Sequence, residues 1–208
     1  MDKNSETWHQ YYQKVLTKKH SLETENAHQF NRSGCTVAID CGCGTGSDIA
    51  YLAQQGYQVH GFDNNEDAIG LCRDRFADQP SINISLSTFE TFSYPQAGVV
   101  LAHNSLFFAE PEAFPDTWQS ISNSLKAGGV FSGDFMGEKD SWAHGFRIAT
   151  TPLTKLQVEA LFKDFDIIQF QERDETGQTA LGRIKHWHTF SVLACLLYTS
   201  DAADEWIG

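Results

Sequence analysis

Val37-Ala38-Ile39-Asp40-Cys41-Gly42-Cys43-Gly44-Thr45-Gly46 is a short apolar run that passes into a loop with glycine at every second position. Glycine lacks Cβ and reaches positive φ at little cost, so three at this spacing let a ligand lie close against the backbone. Ser47 to Ala53 follows as an expected helix whose free N–H groups face the loop. Tyr57 to Asp63 then reads as a second strand ending in a carboxylate, where a βαβ unit presents an acid to ribose hydroxyls. Strand, helix, strand and terminal acid together point to a nucleotide-type cofactor.

The loop separates two such cofactors. A dinucleotide fingerprint spaces its glycines G-x-G-x-x-G, and Ser47 stands where its third glycine would be. An acid just upstream, Asp40, suits a cation better than a pyrophosphate. The stretch resembles motif I of the class I S-adenosylmethionine-dependent methyltransferases, an acid followed by G-x-G-x-G, and Asp63 matches that family's ribose-binding acid. Leu125-Lys126-Ala127-Gly128-Gly129-Val130-Phe131 is similar to the family's L-K-P-G-G turn into its fifth strand, with Ala127 in place of proline.

The resemblance spans residues from about 5 to 194. It implies an α/β, Rossmann-like three-layer sandwich with a mostly parallel seven-stranded sheet and one antiparallel strand. It also implies S-adenosylmethionine as cofactor, held by Asp40, Gly42, Gly44, Gly46 and Asp63, with Thr88 and Phe89 at the adenine. The size resembles the small-molecule branch, which includes tellurite-resistance and thiopurine-type enzymes.

With 208 residues the chain suits one α/β domain. Its formal charge of −12, with scattered basic residues, argues against a nucleic-acid partner. There is no apolar run near membrane-spanning length and no charged-then-apolar leader, so a cytoplasmic protein with reduced thiols is expected, as a monomer or weak homodimer. Cys41-x-Cys43 lacks the C-x-x-C spacing of structural zinc sites, and no metal is expected there. His186 and His188 share a strand face, and pairing across a hairpin is the expected role. Cys195 to Glu205 looks like a translated transposon-type sequencing adaptor, so 195–208 is expected to be non-native, after a helical cap at 1–34 and the cofactor domain at 35–194.

Trp8, Tyr11, Tyr12 and Val15 recur at helical spacing, an aromatic stripe that packs on the sheet or covers the pocket. Ser21 and Asn65 are expected helix caps, and Thr154 with Gln157 a capping box. Asp116 is the expected cap of a helix stopped by Gly128-Gly129. Ile82–Leu86 alternates as a strand, and Glu90 beyond it reads as a solvated charge. Gly98 to Ala102 is continuously apolar, as for a central parallel strand buried on both faces. Phe165–Gln171 and His186–Ala194 read as a closing pair of strands.

Ligands of open α/β sheets bind beyond the carboxyl ends of the strands, which places His103, Asn104 and Ser105 at the pocket. His103 is expected as base or acceptor-orienting group and at the cofactor boundary, and Tyr12, Asn104, Phe107 and Asp134 on the acceptor side. The expected activity is methyl transfer to a small-molecule acceptor. The alternatives are a NAD-dependent oxidoreductase, opposed by the missing glycine and by the lack of a hydride-transfer pair, and a cofactor-binding protein without turnover.

Overall fold

The computed structural model describes residues 11, 12, 14–146 and 148–198. Trp8 of the aromatic stripe and residues 199–208 of the tail lie outside these. The elements are α1 (Leu22–Phe30), β1 (Val37–Cys41), α2 (Ser47–Gln54), β2 (Gln58–Asp63), α3 (Glu66–Arg75), β3 (Ile82–Leu86), β4 (Ala97–Ala102), α4 (Phe114–Ser124), β5 (Leu125–Gly137), β6 (Pro152–Leu153), α5 (Lys155–Leu161), β7 (Phe165–Gln178) and β8 (Ile184–Leu196). A short 3-10 turn, Leu106–Phe108, follows β4.

The sheet runs β3-β2-β1-β4-β5-β8-β7. β8 is the antiparallel member, inserted between β5 and β7, and the other pairings along the path are parallel. This is the expected seven-stranded arrangement, with two-residue β6 added beside the end of β5 through Met136↔Pro152 and Gly137↔Leu153. β4 stops pairing at Ala102↔Gly133, so β6 takes up the side of β5 that β4 leaves.

β4 is buried on both faces, as its unbroken apolar run requires. Val99 and Leu101 pack with Ala38, Val59, Val130, Ile49, Leu52 and Ile69, and Ala27 of α1 joins them, so α1, α2 and α3 cover that face. Val100 and Ala102 pack with Ile39, Phe131, Phe135, Trp118, Val158 and Phe162 on the α4 and α5 face. The parity of each strand therefore decides which layer a side chain enters.

Local signals set most boundaries. Ser21 Oγ accepts from Thr24 N, Asn65 accepts from the N–H groups of Asp67 and Ala68, and Thr154 and Gln157 form their reciprocal box. Two expectations are corrected. Asp116 lies in the first turn of α4, which begins at Phe114 with proline at its start and Ala113 as N-cap, because the fixed φ of Pro115 starts the helix earlier. The helix ends at Ser124, and Leu125 already belongs to β5, so Gly128-Gly129 falls within the strand. Cys195 pairs with both Val130 and Asp166 and Leu196 pairs with Phe165, so β8 runs two residues into the expected tail.

Candidate active site

Gly42, Gly44 and Gly46 have φ of 70°, 51° and 76°, the left-handed region that side chains disfavour. The turn is tied down from β2: Gly42 N and Cys43 N both donate to Phe62 O, at 2.8 and 2.9 Å. Asp63 Oδ2 accepts from Gly44 N and Oδ1 from Asn65 N, both at 3.0 Å. One carboxylate thus spans the two loops at the heads of β1 and β2. Burial raises the Asp63 pKa, and the backbone donors offset only part of that.

These loops form the floor of a cleft of about 330 Å³ at the carboxyl ends of the parallel strands, a volume at the lower end of ligand sites. Gly42, Gly44, Asp63, Thr88, Phe89, Asn104 and Tyr12 all line it, so seven of the expected site residues come together. A Cβ on Gly44 would lie 3.6 Å from the Tyr12 ring, and one on Gly42 would collide with Ser105 at 2.4 Å. Burial and the Asp63 charge raise the Tyr12 phenol above its ordinary pKa, so it stays a neutral hydroxyl at physiological pH.

Other expected residues lie elsewhere. His103 shares the parity of Leu101 and therefore turns to the α1 face, where Nδ1 meets Ser21 Oγ at 3.4 Å and Nε2 meets Ser132 Oγ at 2.9 Å. His103 is therefore not among the residues that line the cleft. Asp134 lies on the same face as Ser132, accepting from Ser191 Oγ at 2.5 Å and from Asn104 N at 2.8 Å. It supports the cleft from behind and does not line it. Phe107 is buried, and its neighbour Phe108 faces the cleft instead, because the 3-10 turn rotates successive side chains by about a third of a turn.

Asp40 has the parity of Ala38 and sits beneath the loop, its pKa raised well above the usual range by burial and then by the Asp48, Cys72 and Asp63 groups. Gly46 packs away from the cleft, where a Cβ would meet the Phe76 ring at 2.6 Å. Cys43 and Cys72 are buried, and Cys72 Sγ donates to Gly44 O at 3.1 Å, which makes these thiols supports of the loop.

Ser105 lines the cleft as expected, as does Tyr11 of the aromatic stripe, and the sequence reading missed Phe108, Glu110 and Ile148 as lining residues. Glu90 is exposed, as expected of a solvated charge, and it also lines the cleft, where its Oε1 accepts from Glu110 N at 2.9 Å, which lowers its pKa against the opposing effect of burial. The described lining residues include three carboxylates, Asp63, Glu90 and Glu110, and no Lys, Arg or His. Such a cleft fits a cationic ligand.

His186 and His188 pair across the hairpin, with Nε2 of each at 2.8 Å from Asp174 Oδ1 and 3.2 Å from Glu172 Oε1 respectively. Glu172, Asp174 and His188 converge closely enough for a cation. However, His188 Nδ1 accepts the Lys139 N–H at 3.1 Å, so the neutral ring carries its proton on Nε2 toward Glu172. A metal there would have to displace that proton.

Residues 38–129 match the family model described as a methyltransferase domain. The structure is similar to TehB from Haemophilus influenzae, with 17% identity, a TM-score of 0.69 and coverage of 85% of this chain and 62% of that one. A S-adenosylmethionine-dependent methyltransferase from Methanosarcina mazei aligns at 17% identity and TM-score 0.66, over 87% of this chain and all of its own (100%). The Burkholderia thailandensis 1,6-didemethyltoxoflavin-N1-methyltransferase aligns at 18% identity and TM-score 0.60, over 88% and 81%. No curated protein sequence matches the chain. The chain thus spans less than two thirds of the TehB length. Residues 38–129 thus match a methyltransferase-domain model, and the chain as a whole shares the α/β fold of these structures.

Proposed function

We propose that this chain transfers the methyl group of S-adenosylmethionine to a small-molecule acceptor bound in the cleft. The observation that carries the reading is the Asp63 carboxylate held between the β1 and β2 loops, facing a cavity floored by Gly42 and Gly44. Asp63 would accept from the ribose hydroxyls, Phe89 and Thr88 would flank the adenine, and the glycine loop would let the amino-acid end lie against the backbone. S-adenosylmethionine supplies an electrophilic methyl on a positive sulfur, which the acidic lining accommodates.

In-line transfer would require an acceptor lone pair aligned with that methyl, opposite the sulfur that would leave with the bonding pair. The chain's part is to hold both partners in line and near contact, and to exclude water. Asn104, Phe108 and Ile148 line the same cleft and would orient the acceptor. The small-molecule assignment rests on this compact cleft, and on the charge of −12, which disfavours a polyanionic substrate. No helix among the described residues is long and apolar enough to cross a membrane.

Calorimetric titration tests the reading. We expect S-adenosylmethionine and S-adenosylhomocysteine to bind in the micromolar range, roughly −8 kcal/mol, and NADH not to bind. Binding of NADH in place of both would overturn it in favour of an oxidoreductase.

A further inference from the structure

Lys185 and Asp140 form a buried ion pair, Nζ to Oδ1 at 2.6 Å, far from either residue's neighbours in sequence. The ammonium lies between two indole rings, 3.7 Å from the centre of Trp142 and 4.0 Å from that of Trp187. Asp140 also accepts from Trp142 N at 2.9 Å and His188 N at 3.0 Å, so its carboxylate is fully engaged. The Trp187 indole N–H has no partner among the described residues, so its ring is held by contact with Lys185 and with Arg173, 4.8 Å away on the ring.

The segment that Asp140 begins leads to the cleft. Trp142 stacks on Phe146 at 4.5 Å, and Phe108 packs on both at 6.3 and 6.2 Å. Phe108 and Ile148 line the cleft. At its far end Thr151 donates through N to Phe107 O and through Oγ1 to Ala109 O, both at 2.9 Å. A strap therefore runs from the β7–β8 hairpin to the 3-10 turn, and its aromatic underside backs one wall of the cleft.

We propose that Lys185 and Asp140 are positioning residues, a lock that fixes this strap and through it the acceptor-side wall formed by Phe108 and Ile148. A buried ion pair contributes little net stability over an apolar pair of equal volume, but it defines one geometry, since a displaced partner leaves an uncompensated charge. Three N–H or ammonium donors on one carboxylate and two rings on one ammonium permit a single seat for the strap. The placement of the wall as acceptor-side rests on the methyltransferase reading; the lock itself does not.

The test uses the full chain, with hydrogen exchange by mass spectrometry and stopped-flow release of S-adenosylhomocysteine as the two readouts. Lys185→Met should accelerate exchange about tenfold or more in residues 138–151 and also in 106–108, and leave 58–63 unchanged. It should speed release several-fold, and Lys185→Arg, which keeps the cation, should restore wild-type behaviour in both. Faster exchange confined to the strap, with 106–108 and release unchanged, would overturn the proposal, as would an arginine variant no better than methionine. If Lys185→Met does not fold, Asp140→Asn, which keeps the shape and removes the charge of the pair, is judged by the same exchange and release criteria. If the wild type fails to bind S-adenosylhomocysteine, the methyltransferase reading falls and the exchange at 106–108 alone decides the lock.

Discussion

Asp134 holds Asn104 in a left-handed backbone conformation, φ 51°, by accepting its N–H at 2.8 Å. No other described residue apart from glycine has positive φ, and Asn104 lines the cleft. A backbone held away from its preferred region at a binding surface indicates that the position of the side chain matters more than its local energy. Replacing Asn104 with Gly should therefore stabilise the fold or leave it unchanged, to within about 1 kcal/mol by urea denaturation, while reducing methyl transfer. Loss of stability with full activity would remove Asn104 from the site.

Asp134→Ala breaks the same relationship from behind the sheet. It leaves Asn104 N and Ser191 Oγ without their acceptor, so a stability loss of about 2 kcal/mol is expected in the same assay. An unchanged denaturation midpoint would show that water replaces the carboxylate.

Gly42→Ala should cost about 3 kcal/mol, because it adds left-handed strain to a collision with the Ser105 side chain. Ser105→Gly removes the colliding atoms and also the bond from Ser105 Oγ to Cys41 O. The double variant should be less damaged than the sum of the two, and additive losses in thermal melts would contradict that collision.

Asp63→Ala should weaken S-adenosylmethionine binding by about 2 kcal/mol, roughly thirtyfold, since ribose hydroxyls would lose a charged acceptor. Calorimetry with unchanged affinity would exclude Asp63 from the site. The pH dependence has a definite sign. Burial raises the Asp63 and Asp40 pKa values in the free protein, so each binds a proton above 3.8, where the unfolded chain has already released it. Their contribution to folding is therefore largest at the acid end and falls as pH rises through the raised values. A cationic ligand favours the ionised forms, so affinity should rise with pH through that same window, with proton release seen as a buffer-dependent binding enthalpy.

Truncation after Ala194 should cost about 2 kcal/mol, because it removes the Cys195 rungs to Val130 and Asp166 and the Leu196 rung to Phe165. Truncation after Tyr198 should leave the melting temperature unchanged. Equal melting of both shortened chains would place the end of β8 before Cys195.

Much of this was legible in the sequence because the signals are local. Ser21, Asn65 and Thr154 cap their own helices, alternation marks Ile82–Leu86, and the glycine spacing with Asp63 closes within one βαβ unit. What was not legible depends on parity and on distant partners. Because β4 is apolar on both faces, its sequence does not show that Leu101 and His103 turn toward α1, and the Ser21 contact that fixes His103 comes from 82 positions away. Glu90 is held by a backbone group 20 positions on, and His188 by Asp140 48 positions away. Phe108 replaced Phe107 at the cleft because a single 3-10 turn intervenes.

The insertion of β8 between β5 and β7 also governs when the domain can become complete. During synthesis β1 to β5 can pair among themselves, but β5 keeps one bare hydrogen-bonding edge until the chain has passed Leu196 and β8 has threaded in beside it. Pairing at such long sequence separation is slow, and an unpaired edge in the meantime is a template for other chains. An interrupted translation product that stops within β7 would carry the whole cofactor floor and still be aggregation-prone, so the yield of soluble protein depends on the last strand more than on the glycine loop.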